Sequence, residues 1–223
     1  MFSSIARFYD LNNTLLSFGL HHRWKVRTIE AVQLRPGESV ADIGAGTADL
    51  SVLAAGAVGG KGRVVALDLN EPMLRIGRRK LAVRRIDQAI CALGNAERLP
   101  LPDDSVDAVI TGFCMRNVTD LDQALREIYR ILKPGGKFAC LEFSRPTTPT
   151  LRKLYDFYSF ILLPKIGTWV SKDPTGVYTY LPDSIRKFPD QGGLKKRMEA
   201  AGLIEVAYEN LTGGIVAIHV GRK

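Results

Sequence analysis

Two carboxylates and two glycines carry the first chemical signal in this chain: Asp42, Gly44, Gly46 and Asp68. Asp42 lies in an apolar run that starts at Ser39, breaks into the turn Gly44-Ala45-Gly46, and resumes with helical spacing from Asp49-Leu50. This reads as a strand, a tight loop whose backbone can approach a ligand, and a helix whose N-terminus faces that ligand. A second run, Arg63 to Leu67, ends in Asp68, which lies 68 − 46 = 22 residues beyond the last glycine. A carboxylate at that spacing reaches a ribose hydroxyl in nucleotide-binding βαβ units. The pattern points to a nucleoside site; the alternative is a plain strand-to-helix turn.

The third small residue of a dinucleotide fingerprint would fall at position 49, which here is Asp49. A carboxylate there repels a pyrophosphate. A cofactor with a cationic centre and no phosphate tolerates both Asp42 and Asp49, and S-adenosylmethionine fits that description.

The elements that must position these groups follow from the rest of the chain. Arg130 to Lys133 closes a helix with cations, Pro134-Gly135 breaks it, and Phe138 to Phe143 reads as a strand. Ile204 to Tyr208 and Ile215 to Val220 are β-rich runs joined by Leu211-Thr212-Gly213-Gly214, a closing hairpin. The expected fold is α/β and Rossmann-like, as in class I methyltransferases, with a seven-stranded, mostly parallel sheet, an antiparallel C-terminal hairpin, and helices on both faces.

A chain of 223 residues with 46% hydrophobic and 24% charged residues supports one domain. Within it we expect an N-terminal helical cap over 1–34, a cofactor-binding core over 35–145 and 191–223, and a helical substrate or lid insertion over 146–190. Cys91, Cys114 and Cys140 follow no metal spacing and read as small core residues in a reducing compartment, so no metal is expected. The first ten residues lack the apolar core of a secretory signal, and the apolar run Phe157 to Leu163 has seven residues against the ~20 that cross a bilayer. The expected location is cytoplasmic, with peripheral contact at the inner face of the membrane left open.

The net charge is +8, and residues 72–86 carry Arg75, Arg78, Arg79, Lys80, Arg84 and Arg85 with no acid among them. This is a solvated helix face or a surface for an anionic partner. Nucleic acid is not the expected partner, because the run lacks interleaved aromatics and belongs to no recognised nucleic-acid module.

Two further stretches narrow the substrate. The run from Phe8-Tyr9-Asp10 through Asn12-Asn13 and His21-His22 to Trp24-Lys25 closely resembles the N-terminal signature of the ubiquinone/menaquinone biosynthesis C-methyltransferase family. Phe113-Cys114-Met115-Arg116-Asn117-Val118-Thr119-Asp120, followed by Ala124-Leu125, resembles its second signature, and the likeness covers nearly the whole chain. The resemblance implies S-adenosylmethionine as cofactor and a polyprenylated quinol as substrate. The reaction would convert demethylmenaquinol to menaquinol, 2-polyprenyl-6-methoxy-1,4-benzoquinol to its methylated product, or both. Carried over, Thr47, Asp68, Asn95 and Ala96 match the family's cofactor contacts. With Asp42, Gly44, Gly46, Asn70, Met73 and Gly112 they form the expected cofactor set. Three departures stand out: Gly112 replaces a usual serine, and Ala48 and Cys114 replace common glycines.

The chemistry sets the remaining demands. A quinol ring carbon attacks a sulfonium methyl only after a neighbouring hydroxyl, with a pKa near ~10, loses its proton, so the site must stabilise the anion and accept protons. Arg116 and Asn117 follow the strand from Val106 to Thr111 and so sit at its carboxyl edge. Arg116 suits an oxyanion stabiliser; its structural alternative is an ion pair with Asp120. His21 is a candidate proton acceptor, and Tyr9 and Asp10 orient the ring or pin the N-terminal helix. Tyr178 and Tyr180 read as lid packing.

In the segment 146–190, Leu151, Leu154, Tyr155, Tyr158 and Leu162 form a helical stripe that Phe157, Phe160 and Ile161 widen until Pro164. Part of the stripe is expected to be core. The rest lines a prenyl tunnel or rests on a membrane, with Lys153, Lys165 and Lys172 toward anionic headgroups. A homodimer, a quinone-biosynthesis complex, another small-molecule or RNA acceptor on the same fold, and a cofactor-binding scaffold without turnover stay open on sequence alone.

Overall fold

The computed structural model describes residues 14, 17, 19–158 and 183–223. Tyr9 and Asp10 lie outside the described residues, as do Phe160, Ile161, Lys165, Lys172, Tyr178 and Tyr180. In chain order the elements are α1 (Leu20–Val32), β1 (Ser39–Ile43), α2 (Asp49–Val58), β2 (Arg63–Asp68), α3 (Glu71–Val83), β3 (Ala89–Leu93), β4 (Val106–Gly112), a 3-10 turn (Met115–Asn117) and α4 (Leu121–Ile131). There follow β5 (Leu132–Phe143), α5 (Pro149–Phe157), α6 (Gln191–Ala200), β6 (Ile204–Leu211), a 3-10 turn (Thr212–Gly214) and β7 (Val216–Arg222).

One sheet takes the order β3-β2-β1-β4-β5-β7-β6. The pairs among β1 to β5 are parallel, and β7 runs antiparallel to both β5 and β6. The expected class holds, and its reason is visible in burial. The middle strands read as continuous apolar runs because helices cover both faces. Phe138, Leu125, Ile128, Leu194 and Met198 pack on one side, and Ala54, Val58, Ile110 and Leu81 on the other. The order turns back between β1 and β4, with Ile43 level with both Leu67 and Thr111. Ligands bind at such a switch point, beyond the carboxyl ends of the strands.

Two boundaries differ from expectation. Pro134-Gly135 does not separate α4 from a later strand: β5 starts at Leu132, which is fully buried and pairs with Val106 before the register jumps to Ala108 with Lys137. Residues 133–136 bulge out between these pairs, with Gly135 at φ 76° and its N–H donating to the Lys223 carbonyl. The residue pattern predicts the last helix over Leu194 to Ala201, but α6 starts at Gln191, since the Asp190 carboxylate accepts from the Gly193 N–H and caps the helix despite its two glycines. The stripe over 151–158 is not core where it is described: α5 buries none of its residues, and Leu154 and Phe157 are exposed.

The basic run is partly neutralised by an acid one position before it, Glu71, which lies 2.9 Å from Arg75 and 3.5 Å from Arg78. Lys80 turns inward to Asp49. All three cysteines are free, with Cys140 buried and Cys91 and Cys114 half-buried.

Candidate functional site

The glycine loop is tied to the end of β2. The Gly44 and Ala45 N–H groups both donate to the Leu67 carbonyl, at 2.8 and 3.0 Å. Asp68 continues the clamp, its Oδ2 accepting from the Gly46 N–H at 2.8 Å and its Oδ1 from the Asn70 N–H at 2.7 Å. Gly44 and Gly46 have φ of 67° and 54°, a region that L side chains enter at a cost of about 1 kcal/mol or more. Ala48 bears that strain at φ 64° as the residue before α2, which accounts for the glycine common there. Close approach matters too: a Cβ on Gly44 would lie 2.1 Å from Cys114 Sγ, so Cys114 fills the space beneath the loop. Burial pushes the Cys114 thiol up to about 12, with Asp68 and Glu142 adding to it, so it is a packing group and not a thiolate.

Around Asp68 the expected cofactor set is brought together unevenly. Met73 and Ala96 are buried, and Thr47 is buried in the loop itself. Asn70 caps α3, its Oδ1 accepting from the Met73 N–H, and Asn95 accepts from the Glu97 N–H, so both side chains serve their own turns. At Gly112 a Cβ would lie 2.7 Å from Leu50 Cδ1; the room a serine would need is taken by α2. Sequence reasoning did not single out Leu69, an apolar residue 70% exposed directly after Asp68. Its signal was an apolar residue past the end of a strand.

Asp49 does not act as a free repelling charge. It is bridged by Lys25 of α1 at 2.7 Å and Lys80 of α3 at 2.5 Å. Burial alone would raise its pKa, yet the two ammonium groups hold it well below the usual carboxylate range. The negative potential left for a cationic ligand is therefore that of Asp42 and Asp68. Asp42 is buried, accepts from Ser51 Oγ at 2.6 Å, and has a second oxygen with no hydrogen-bond partner among the described residues. Such an orphaned acceptor fits a ligand that carries donors and positive charge.

Burial pushes the Asp42 carboxyl from 3.8 up to about 7; Asp68 adds to the shift and Ser51 opposes it. Because the folded value lies above the unfolded one, ionising Asp42 costs the empty fold stability as pH rises through 3.8, and the cost is complete above about 7. Asp42→Asn is uncharged throughout and should melt above the parent, with its advantage growing by about 3 kcal/mol between pH 5 and pH 8. Denaturant melts at the two pH values check this, and equal advantages would show an ordinary carboxyl.

A second cluster stands at the carboxyl ends of β4 and β5. Phe113 sits at φ 58°, an outlier for a bulky residue of the kind that concentrates at functional sites. Its ring lies 4.7 Å from Phe143 and 6.2 Å from Trp24. Trp24 in turn donates its indole N–H to Thr212 Oγ1 at 3.0 Å, pinning α1 to the closing hairpin.

Arg116 is ion-paired not with Asp120 but with Glu142, at 2.7 Å and with both side chains almost fully buried, and its guanidinium lies over the Phe143 ring. Asp120 instead caps α4 through the Gln123 N–H. Asn117 is exposed and donates to the Phe113 carbonyl, closing the turn. His21 is buried on α1, with Nε2 3.0 Å from Thr14 Oγ1 and its ring 3.9 Å from the tilted ring of His22. Sequence reasoning gave Glu142 no role.

A model of the ubiE/COQ5 methyltransferase family matches residues 1–223. The chain is 49% identical to the ubiquinone/menaquinone biosynthesis C-methyltransferase UbiE of Vibrio vulnificus, over all of this chain and 86% of that protein. It is 48% identical to the protein of the same description from Idiomarina loihiensis, over all of this chain and 89% of that one. Among solved structures, an S-adenosylmethionine-dependent methyltransferase from Aquifex aeolicus superposes with a TM-score of 0.65 at 18% identity, covering 89% of this chain and 88% of that one. A structure of the Haloferax volcanii Trm112 methyltransferase activator in complex with its partner gives 0.70 at 19% over 100% and 97%; both likenesses concern the fold.

Proposed function

Because this chain belongs to the ubiE/COQ5 methyltransferase family, we infer that the glycine-loop site takes S-adenosylmethionine and that the edge bearing Phe113, Phe143 and Arg116 takes a quinol ring. The protein is an S-adenosylmethionine-dependent C-methyltransferase of ubiquinone/menaquinone biosynthesis. The observation that carries the site assignment is the adjacency of β1 and β4 at the switch point, with Asp68 clamping the loop on one side and the arginine-bearing aromatic cluster on the other.

Bound S-adenosylmethionine supplies an electrophilic methyl group. On the protein's side, Asp68 and the loop N–H groups hold the nucleoside, and Asp42 and Asp68 provide the negative potential that suits a sulfonium. The half-buried rings of Phe113 and Phe143 exclude water from the acceptor ring. Arg116, always charged, stabilises the oxygen on which charge develops as the quinol loses its hydroxyl proton. Asn117 fixes the turn that presents Arg116, and His21 is the assigned proton acceptor. The test is transfer of label from S-adenosylmethionine to reduced demethylmenaquinol and to the methoxybenzoquinol in turn. Saturable incorporation at a ring carbon supports the assignment, and none with either quinol overturns it.

The substrate's lipid tail also requires a meeting with the membrane, and among the described residues no helix is long and apolar enough to cross one. The segment from Leu151 to Val170 is assigned the docking role, on the ground that α5 exposes Leu154 and Phe157 beside Lys153. Leu154→Glu and Phe157→Glu alter exposed positions, so both should fold normally while losing roughly tenfold in binding to anionic vesicles. Co-sedimentation at low and high salt checks this; undiminished binding would place the contact elsewhere.

A further inference from the structure

The Arg116 and Glu142 pair has no explanation as a stabilising contact. Side-chain exposures of 5% and 1% mean that both charges have been taken out of water. A buried ion pair gains little over a well-packed apolar pair of the same volume, because desolvation offsets the attraction. What such a pair does provide is geometry. Glu142 Oε1 accepts from Arg116 Nη1 at 2.7 Å and from the Phe143 N–H at 2.8 Å, and Oε2 accepts from the Arg116 N–H at 3.4 Å. One carboxylate thus holds the guanidinium, the backbone of the turn that carries it, and the end of the strand bearing the ring beneath it. The guanidinium carbon stands 5.3 Å from the centre of that ring.

We propose that Glu142 is a positioning residue: it locks the Arg116 guanidinium over Phe143 in the orientation that meets the quinol oxygen as charge develops there. The proposal rests on the reading of Arg116 as the group that faces that oxygen. Stabilisation of this kind depends on donors already aimed before the charge appears, so a guanidinium released from its carboxylate keeps its charge and loses its effect. Glu142 and Phe143 lie on β5, whereas the cofactor loop is held by β2.

The test compares Glu142→Gln, Glu142→Asp, Arg116→Lys and the double variant Arg116→Lys/Glu142→Gln in the full-length protein, with a short-chain quinol that needs no membrane. Glu142→Gln should lower kcat roughly 10- to 100-fold while cofactor affinity by calorimetry stays within about twofold. Glu142→Asp keeps the charge and should recover part of that loss. The double variant should be no slower than the slower single, because residues that act as one unit are not additive.

Should Glu142→Gln fail to fold, Glu142→Asp decides: a kcat loss of about fivefold or more at an unchanged melting temperature supports the proposal, and parental kcat overturns it. With Glu142→Gln folded, parental kcat beside a slow Arg116→Lys overturns the positioning role alone, as do losses that multiply in the double variant. Parental kcat in Arg116→Lys overturns the reading of Arg116, and the proposal with it.

Discussion

Replacing Asp68 by alanine is expected to weaken S-adenosylmethionine binding by roughly a hundredfold or more. The carboxylate accepts from the Gly46 N–H at 2.8 Å and from the Asn70 N–H at 2.7 Å, so it shapes both the glycine loop and the turn into α3 before any ligand is present. Hydrogen bonds to a charged group contribute about 1.5–3 kcal/mol each, and the proposed ribose contact adds another. A hundredfold corresponds to only ~2.7 kcal/mol, so loss of the loop's shape and of the ribose contact together is sufficient. Asp68→Asn keeps one acceptor but turns an amide donor toward one of the two N–H groups, and should fall in between, at about tenfold. Calorimetric affinity near that of the parent in Asp68→Ala would remove the residue from the nucleoside site.

The same residue illustrates what was legible from the chain. Its place at a strand end, 68 − 46 = 22 residues past the last glycine, rests on local periodicity and a fixed βαβ geometry, and such signals survive folding unchanged. The parallel sheet and the antiparallel β6 and β7 were readable for the same reason. The start of β5 was not, because Pro134-Gly135 is a strong local break and only pairing of the buried Leu132 with Val106 overrides it. For α5, periodicity gives a stripe that is part core and part surface, and which part is which is decided by what packs on it elsewhere.

Charges were the least legible part of the site. Four residues of separation made Asp120 the natural partner of Arg116, yet Asp120 is used by the N-terminus of α4, and the carboxylate that reaches Arg116 belongs to Glu142 on the next strand. The pairing follows from Gly112 lying level with Leu141, a register that no local pattern announces. Asp49 was misjudged for a similar reason, since Lys25 and Lys80 arrive from two separate helices. Which carboxylates stay available for a cation is thus a property of the fold, and it leaves Asp42 and Asp68 in place of Asp42 and Asp49.

Arg116→Lys is expected to lower kcat roughly 10- to 100-fold with cofactor affinity nearly unchanged, the largest loss on the acceptor side. Lysine keeps a positive charge beside Glu142, whereas Arg116→Ala would strand a carboxylate only 1% exposed, at a cost of about 3–5 kcal/mol to the fold, and confound the measurement. What lysine cannot reproduce is the planar fork, which holds Glu142 at 2.7 Å while lying over the Phe143 ring. A loss confined to kcat, with the quinol KM and the melting temperature close to those of the parent, identifies an interaction made chiefly in the transition state. A loss of cofactor affinity and melting temperature together would instead make the pair a structural clamp between β4 and β5, and proton acceptance on the N-terminal cap would then have to carry the chemistry alone.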